Sequence, residues 1–330
     1  MLVLCAGMYR ACSTWQYEVV LELLRRRGEP WALGYQTGPE FAARTRPRLT
    51  TGTWAVVKSH ERHPAYSDLC RNRRAVVVYA HRDVRDVAYS LMHKLGVDFA
   101  ELLRRGMLHQ VLANDRYWRA RPRALVQRYD DLTADPAGGI RALAGFLGLA
   151  LRPGEAEELA GRFSHEANRK RTERLAESLR RRGVDLADPA NGLIYDAGSL
   201  LHWNHLRDGR TGGWRERATP AERYVLGRVA SAWLSVNGYA PDPFDPATLP
   251  ARERAALDRA ICRGARAGLL REAALRHPRL GSAVKRALGM GPARAAVPVP
   301  HVPTVEAAVP AGRPIVPIAT PDLDSRGRAG

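Results

Sequence analysis

Four short apolar runs recur in the first 130 or so residues: MLVLCAG (1–7), TGTWAVVKSH (51–60), RRAVVVYAHR (73–82) and RALVQRYDDL (123–132). Each is short enough for a buried strand, and the third carries three consecutive valines. Segments with helical spacing follow three of them. TWQYEVVLELLRRRGE closes on Gly28, DVRDVAYSLMHKLG starts at an Asp cap and ends at glycine, and DPAGGIRALAGFLGL has proline at its first turn. YSDLCRN supplies a short helical connection after the second run. Strands alternating with helices predict parallel βαβ units, with helices on both faces of one sheet. From about residue 155 the pattern becomes mainly helical. Residues 251 to about 288 form a basic, alanine-rich helical stretch, and the chain beyond Gly289 is rich in Pro, Ala and Val. That last composition predicts a disordered tail.

Charge narrows the ligands. The 330 residues carry 52 Lys and Arg against 34 Asp and Glu, a net charge of +18. Only four of the cations are lysines (Lys58, Lys94, Lys170, Lys285), so arginine supplies nearly all of the positive charge. Coding bias accounts for part of that excess, and attraction of polyanions such as nucleotides, nucleic acid or acidic lipid for the rest. The four cysteines are scattered, with no C-x-x-C spacing, which points to neither a disulfide framework nor a zinc knuckle. MLVLCAG is too short for a signal-peptide core, and no apolar run is long enough to span a bilayer. A cytoplasmic setting is the expectation.

In an open parallel sheet, ligands bind beyond the carboxyl ends of the strands. Three groups of residues fall there. After the first strand, MYRACSTW offers backbone N–H groups at a helix start, the charge of Arg10 and the hydroxyls of Ser13 and Thr14. It lacks the G-x-x-x-x-G-K-[ST] signature of a nucleotide-binding P-loop. After the second, Lys58 and His60 stand two apart and face the same way, a cation beside a candidate general base. After the third, Arg82 precedes Ser90 by about two helical turns, so that a guanidinium and a hydroxyl can converge on one phosphate. In the bland alternative Arg82 simply pairs with a neighbouring Asp.

YRACSTW, KSH, RDVRDVAYS, QRYDDL and RDGRTGGW occur in the order found in sulfotransferases that use 3′-phosphoadenosine 5′-phosphosulfate (PAPS), and over roughly residues 1–240 the chain resembles that family. The resemblance implies a P-loop-like parallel sheet and transfer of a sulfuryl group from PAPS to a hydroxyl or amine, with no metal required. Arg10 and the backbone of Ala11, Cys12, Ser13 and Thr14 would hold the 5′-phosphosulfate. Trp15 would stack on the adenine, with Tyr129 near it. Lys58 would contact the sulfuryl group, and His60 would deprotonate the acceptor. Arg82 and Ser90 would hold the 3′-phosphate, with Arg207 and Gly209 closing over it.

Three positions depart from the family pattern. Arg10 stands where lysine is usual, Cys12 where glycine is usual, and Asp208 where a basic residue is usual. If the Cys12 position needs a positive φ, cysteine costs roughly 1 kcal/mol there. The domain organisation read from these patterns is a sulfotransferase domain over 1–245, a basic helical appendage over 246–289 and a Pro/Ala-rich tail over 290–330. Two rival functions are a P-loop kinase, which predicts magnesium dependence, and a non-catalytic polyanion or nucleic-acid binder. The acceptor is expected to be a small molecule, lipid, glycopeptide or carbohydrate, its pocket built from residues 30–50, 95–120 and loops after 165.

Overall fold

The computed structural model describes residues 1–49, 52–206, 209–276 and 297–299. In chain order the elements are β1 (Leu2–Gly7), α1 (Ser13–Arg25), β2 (Trp31–Tyr35), α2 (Gly38–Glu40), β3 (Ala55–Ser59), α3 (Pro64–Arg71), β4 (Ala75–His81), α4 (Val84–Leu95), α5 (Phe99–Arg104) and α6 (Met107–Arg119). They continue as β5 (Ala124–Arg128), α7 (Tyr129–Ala134), α8 (Pro136–Phe146), α9 (Glu155–Arg162), α10 (His165–Arg181), β6 (Ile194–Asp196), α11 (Pro220–Val236), α12 (Ala251–Arg276) and β7 (Val297–Val299).

The four apolar runs become β1, β3, β4 and β5 of a five-stranded parallel sheet ordered β2-β3-β1-β4-β5. A parallel sheet covered by helices on both faces needs side chains that are apolar on both, which is why these strands are runs and not alternations. Along β1, Leu2, Leu4 and Ala6 pack toward the layer of α3 to α6 and α11, while Val3 and Cys5 pack toward α1, α8 and α9. The strand absent from the sequence reading is β2, WALGY, a half-exposed edge strand with little apolar signal.

Register aligns the strand ends. Cys5 lies beside Lys58, Gly7 beside Ala80, and His81 beside Arg128. The segments leaving β1, β3, β4 and β5 therefore emerge at one edge of the sheet. The predicted caps also form: the Asp83 carboxylate accepts the Arg85 N–H at 2.9 Å, and Gly96 ends α4 at φ 62°. In the second half, α12 packs against α5, α6 and α11. Of residues 290–330, only 297–299 lie among the described residues. They form β7, parallel to β6, a short ordered piece within the stretch expected to be disordered.

Candidate active site

Gly7 ends β1, and the chain then turns sharply into α1. Both Arg10 (φ 64°) and Cys12 (φ 68°) take the left-handed conformation. The position where glycine is usual does need a positive φ, and cysteine bears that strain, about 1–2 kcal/mol. No side chain caps α1, and no acidic residue stands in its first turn, so its N-terminal dipole faces the cavity uncompensated. The Thr14 hydroxyl is buried beside it without a hydrogen-bond partner.

A cavity of about 650 Å³ lies over this turn. Twelve of the thirteen sequence-predicted site residues line it: Arg10, Ala11, Cys12, Ser13, Thr14, Trp15, Lys58, His60, Arg82, Ser90, Tyr129 and Gly209. Arg207 lies outside the described residues, as does Asp208.

Lys58 is buried at the end of β3, its ammonium 5.8 Å from the Tyr35 ring centre. Burial, with the nearby Arg10 charge, pulls its pKa down to about 8. His60 follows immediately, its ring 4.5 Å from that of Tyr9 and 6.0 Å from that of Tyr35. Its Nδ1 lies 2.8 Å from the Gly7 carbonyl oxygen. A carbonyl only accepts, so Nδ1 carries the proton and Nε2 keeps its lone pair. Burial and the Lys58 charge push the imidazole pKa down to about 3. His60 is therefore neutral across the physiological range, in the tautomer a base requires. Two nearby histidines differ from it. The His63 ring accepts the Ala65 N–H as the cap of α3, while His202 lines the cavity with Nδ1 unpartnered.

Arg82 lies 4.2 Å over the Tyr129 ring and donates to the Arg210 carbonyl at 2.6 Å. Its Nε is buried without a partner. Asp86, one turn on, is 3.9 Å from Arg82, and its carboxylate accepts the Gly212 and Trp214 N–H groups at 2.7 and 3.1 Å. The pairing of Arg82 with a neighbouring Asp is thus present, and its Nε is left over on the cavity side. Asp86 ties α4 to the 209–214 loop, and the Tyr129 hydroxyl donates to the Gly209 carbonyl at 3.1 Å. Ser90 does not pair with Arg82. Its hydroxyl accepts from Arg10 Nε at 2.9 Å, and Arg10 also donates to the His205 carbonyl. Two residues given to opposite ends of the ligand are in contact here, because the left-handed turn aims Arg10 across the cavity mouth toward α4.

Sequence reasoning missed several lining groups. Asp86 was visible only as a possible ion-pair partner. Tyr9 and Tyr35 flank His60. Lys94, one turn past Ser90, donates to the Gly192 carbonyl and the Asn204 side-chain oxygen, both at 2.6 Å. Burial and the Arg10 charge draw its pKa down to about 7. His202 and His205 stack at 5.7 Å, and burial holds both well below the ordinary imidazole range.

A family model described as "Sulfotransferase domain" matches residues 43–235. The chain belongs to the sulfotransferase domain family. Among curated proteins nothing matches. Among solved structures, this sulfotransferase is similar to mouse sulfotransferase SULT7A1 complexed with PAP, with 13% identity over 78% of this chain and 87% of that one, at a TM-score of 0.50. A retinol dehydratase in complex with retinol and PAP aligns with 18% identity over 71% of this chain and 81% of that one, at a TM-score of 0.49. At such identities the mouse match speaks for the fold. The family's co-substrate is PAPS. The donor set of this sulfotransferase fits such a polyanion: an uncapped helix start, the cations of Arg10, Lys58 and Arg82, and the unpartnered Thr14 hydroxyl and Arg82 Nε all face one cavity. Among the described residues no cluster suited to a metal ion occurs, and no helix is long and apolar enough to cross a membrane.

Proposed function

We propose that this sulfotransferase moves the sulfuryl group of PAPS onto a hydroxyl of a largely apolar acceptor, with His60 as the general base. When bound, PAPS supplies an activated sulfuryl group on a phosphate leaving group. The start of α1, Ser13, Thr14 and Arg10 hold its 5′ end, and Arg82, with the loop that Asp86 tethers, holds the 3′-phosphate. Trp15 and Tyr129 flank the adenine. His60 Nε2 takes the acceptor proton, while Nδ1–H stays on the Gly7 carbonyl and fixes the ring. Lys58 and Arg10 stabilise charge on the departing and transferring oxygens in a water-poor site.

The observation that carries this reading is the 2.8 Å contact of His60 Nδ1 with the Gly7 carbonyl oxygen, beside Lys58 inside the cavity. The anionic charge of the nucleotide offsets Lys58 and Arg10, and so raises the basicity of His60 when both substrates are present. The acceptor would sit beyond His60, against Tyr9, Tyr35, Tyr195, Leu200 and His202. Phenols, leucine and neutral imidazole suit an apolar molecule with a hydroxyl better than an extended charged polymer. Family membership displaces the kinase and the non-catalytic binder as readings of the same cavity.

The test is incubation with isotopically labelled PAPS and a panel of phenols, sterols, hydroxylated lipids, glycopeptides and sugars, read by mass spectrometry. Label on a phenol, sterol or lipid is the expected result. Label confined to sugars or glycopeptides would overturn the acceptor class, and the absence of label on every member would overturn transfer by this site.

A further inference from the structure

The last described helix, α12, lies wholly beyond the residues that match the family, which end at 235. It is nevertheless seated at backbone distance. Gly106 has φ 67°, and a Cβ placed on it would stand 2.5 Å from both the Gly264 carbonyl oxygen and the Gly268 nitrogen. A Cβ on Gly264 would stand 2.5 Å from the Leu103 carbonyl oxygen. Contact this close fixes the position and the rotation of α12 on the α5–α6 corner. Ala267 is buried in the contact, and the Tyr224 hydroxyl donates to Asp258 at 3.1 Å.

From that seat a chain of polar contacts runs to the base. Glu272 on α12 pairs with Arg62 at 2.9 Å, both side chains being mostly buried. Arg62 Nε donates to Asn114 Oδ1 on α6 at 2.9 Å. Asn114 Nδ2 donates to the His60 carbonyl, also at 2.9 Å, and the Trp118 indole N–H approaches the same oxygen at 3.5 Å. Three residues along, the His63 carbonyl accepts from the Tyr117 hydroxyl at 2.7 Å. The 60–63 segment is thus hung from α6, and α6 is braced by α12.

We infer that α12 is a working part of the transferase, with Glu272, Arg62 and Asn114 as positioning residues that hold the His60 backbone so that its ring stays on Gly7. The physical route is short. Arg62 without its carboxylate is a mostly buried charge lacking its ion-pair partner, and it moves toward solvent. Asn114 then loses the acceptor load that fixes its amide, and its donor no longer stays on the His60 carbonyl. With the backbone freed, the Nδ1–H contact to Gly7 is intermittent and both ring tautomers become populated. The inference rests on His60 being the base, but its readout does not need catalysis.

The test uses the full chain, labelled with ¹⁵N in the histidine rings, with the His60 signals assigned by their loss in His60→Ala. In the wild type the two His60 ring nitrogens should give well-separated shifts, one protonated and one bare. Glu272→Gln should pull those shifts together, and Arg62→Met should do the same. The double variant should go no further than either alone, since the residues act in series. Glu272→Asp should largely restore the wild-type separation. Affinity for adenosine 3′,5′-bisphosphate, measured by calorimetry, should stay at the wild-type value in all of them, because Arg82 and the α1 turn are untouched. Unchanged His60 shifts in both single variants, or shifts that add in the double variant, would overturn the inference. So would a loss of bisphosphate affinity parallel to the shift change, which would mark α12 as a general brace. Arg62→Met carries the test alone if Glu272→Gln yields too little folded protein. Failure of His60 as base would show separately, as full turnover in His60→Ala with the shift coupling intact.

Discussion

At the scale of single residues, chemistry and binding separate. His60→Ala should cut turnover by about 10²- to 10⁴-fold, the usual contribution of a positioned acid–base group, with bisphosphate affinity little changed. Arg82→Ala removes a charge-assisted contact of about 1.5–3 kcal/mol, so affinity should fall by about ten- to a hundredfold, with less effect on saturated turnover. Saturation kinetics beside calorimetry on both variants checks the pair, and the reverse pattern would exchange the two roles. Lys58 adds a pH signature. Its pKa of about 8 in the free protein means that the ammonium is lost as pH rises through that value. The kcat/KM for PAPS, which reports the free enzyme, should therefore fall above pH 8. Lys58→Arg stays charged, so its profile should lack that alkaline limb, whatever its absolute rate. The two left-handed residues of the α1 turn bear on the same chemistry. A turn that strains Arg10 and Cys12 is kept where the N–H groups and the guanidinium need to point into one cavity.

At the scale of elements, α4 connects the parts. Arg82 stands just before its Asp83 cap, its first turn supplies Asp86, its middle Ser90, and its last turn Lys94. Asp86→Ala should leave the Gly212 and Trp214 N–H groups unpaired and loosen the 209–214 loop, at a cost of about 1–3 kcal/mol in bisphosphate binding. Hydrogen exchange should rise in that loop and not in β1; an unchanged loop would mean that Trp214 packing alone holds it. The elements also mark what a reader of the sequence can see. β1, β3, β4 and β5 were legible because double-sided burial writes itself as an apolar run, and the α4 boundaries because Asp83 and Gly96 have local reasons to cap. β2 was not legible, since an edge strand with half-exposed residues need not be apolar. Lys58, His60 and Arg82 could be found because strand ends mark the ligand edge of a parallel sheet. The Arg10–Ser90 contact could not, because it depends on a turn geometry that no residue pattern encodes. Nor could the lining histidines, since His202 and His205 reach the cavity only through the path of an irregular segment. Nor was the seat of α12 on the α5–α6 corner legible, because a glycine within an alanine-rich helical run carries no sign of the backbone it will approach.

At the scale of the whole molecule, the protein carries many imidazoles that are neutral because they are buried. His60 and His81 are held at about 3, His202 at about 2, and His205 well below its ordinary range, in each case chiefly by burial. The folded pKa values lie below the unfolded value of about 6.5, so the unfolded chain binds protons first. Stability is then intact above about pH 6.5 and declines as pH falls toward the folded values. For His81, 6% exposed, the loss at pH 5 should be about 2 kcal/mol. Denaturant titrations at pH 7.5 and pH 5 should show this decline, and His81→Gln should reduce it; equal stability at both values would mean that these imidazoles bind protons without unfolding. The seating of α12 has a further consequence, for the order in which the protein comes into being. Synthesis runs from the first strand to the last helix, and the sheet has all its strands once Arg128 is clear of the ribosome. Glu272 follows only after roughly ten to thirty seconds more at ordinary elongation rates. For that interval the His60 segment lacks the brace inferred for it, so competence for transfer should arrive with the emergence of Glu272 and not with the closing of the sheet.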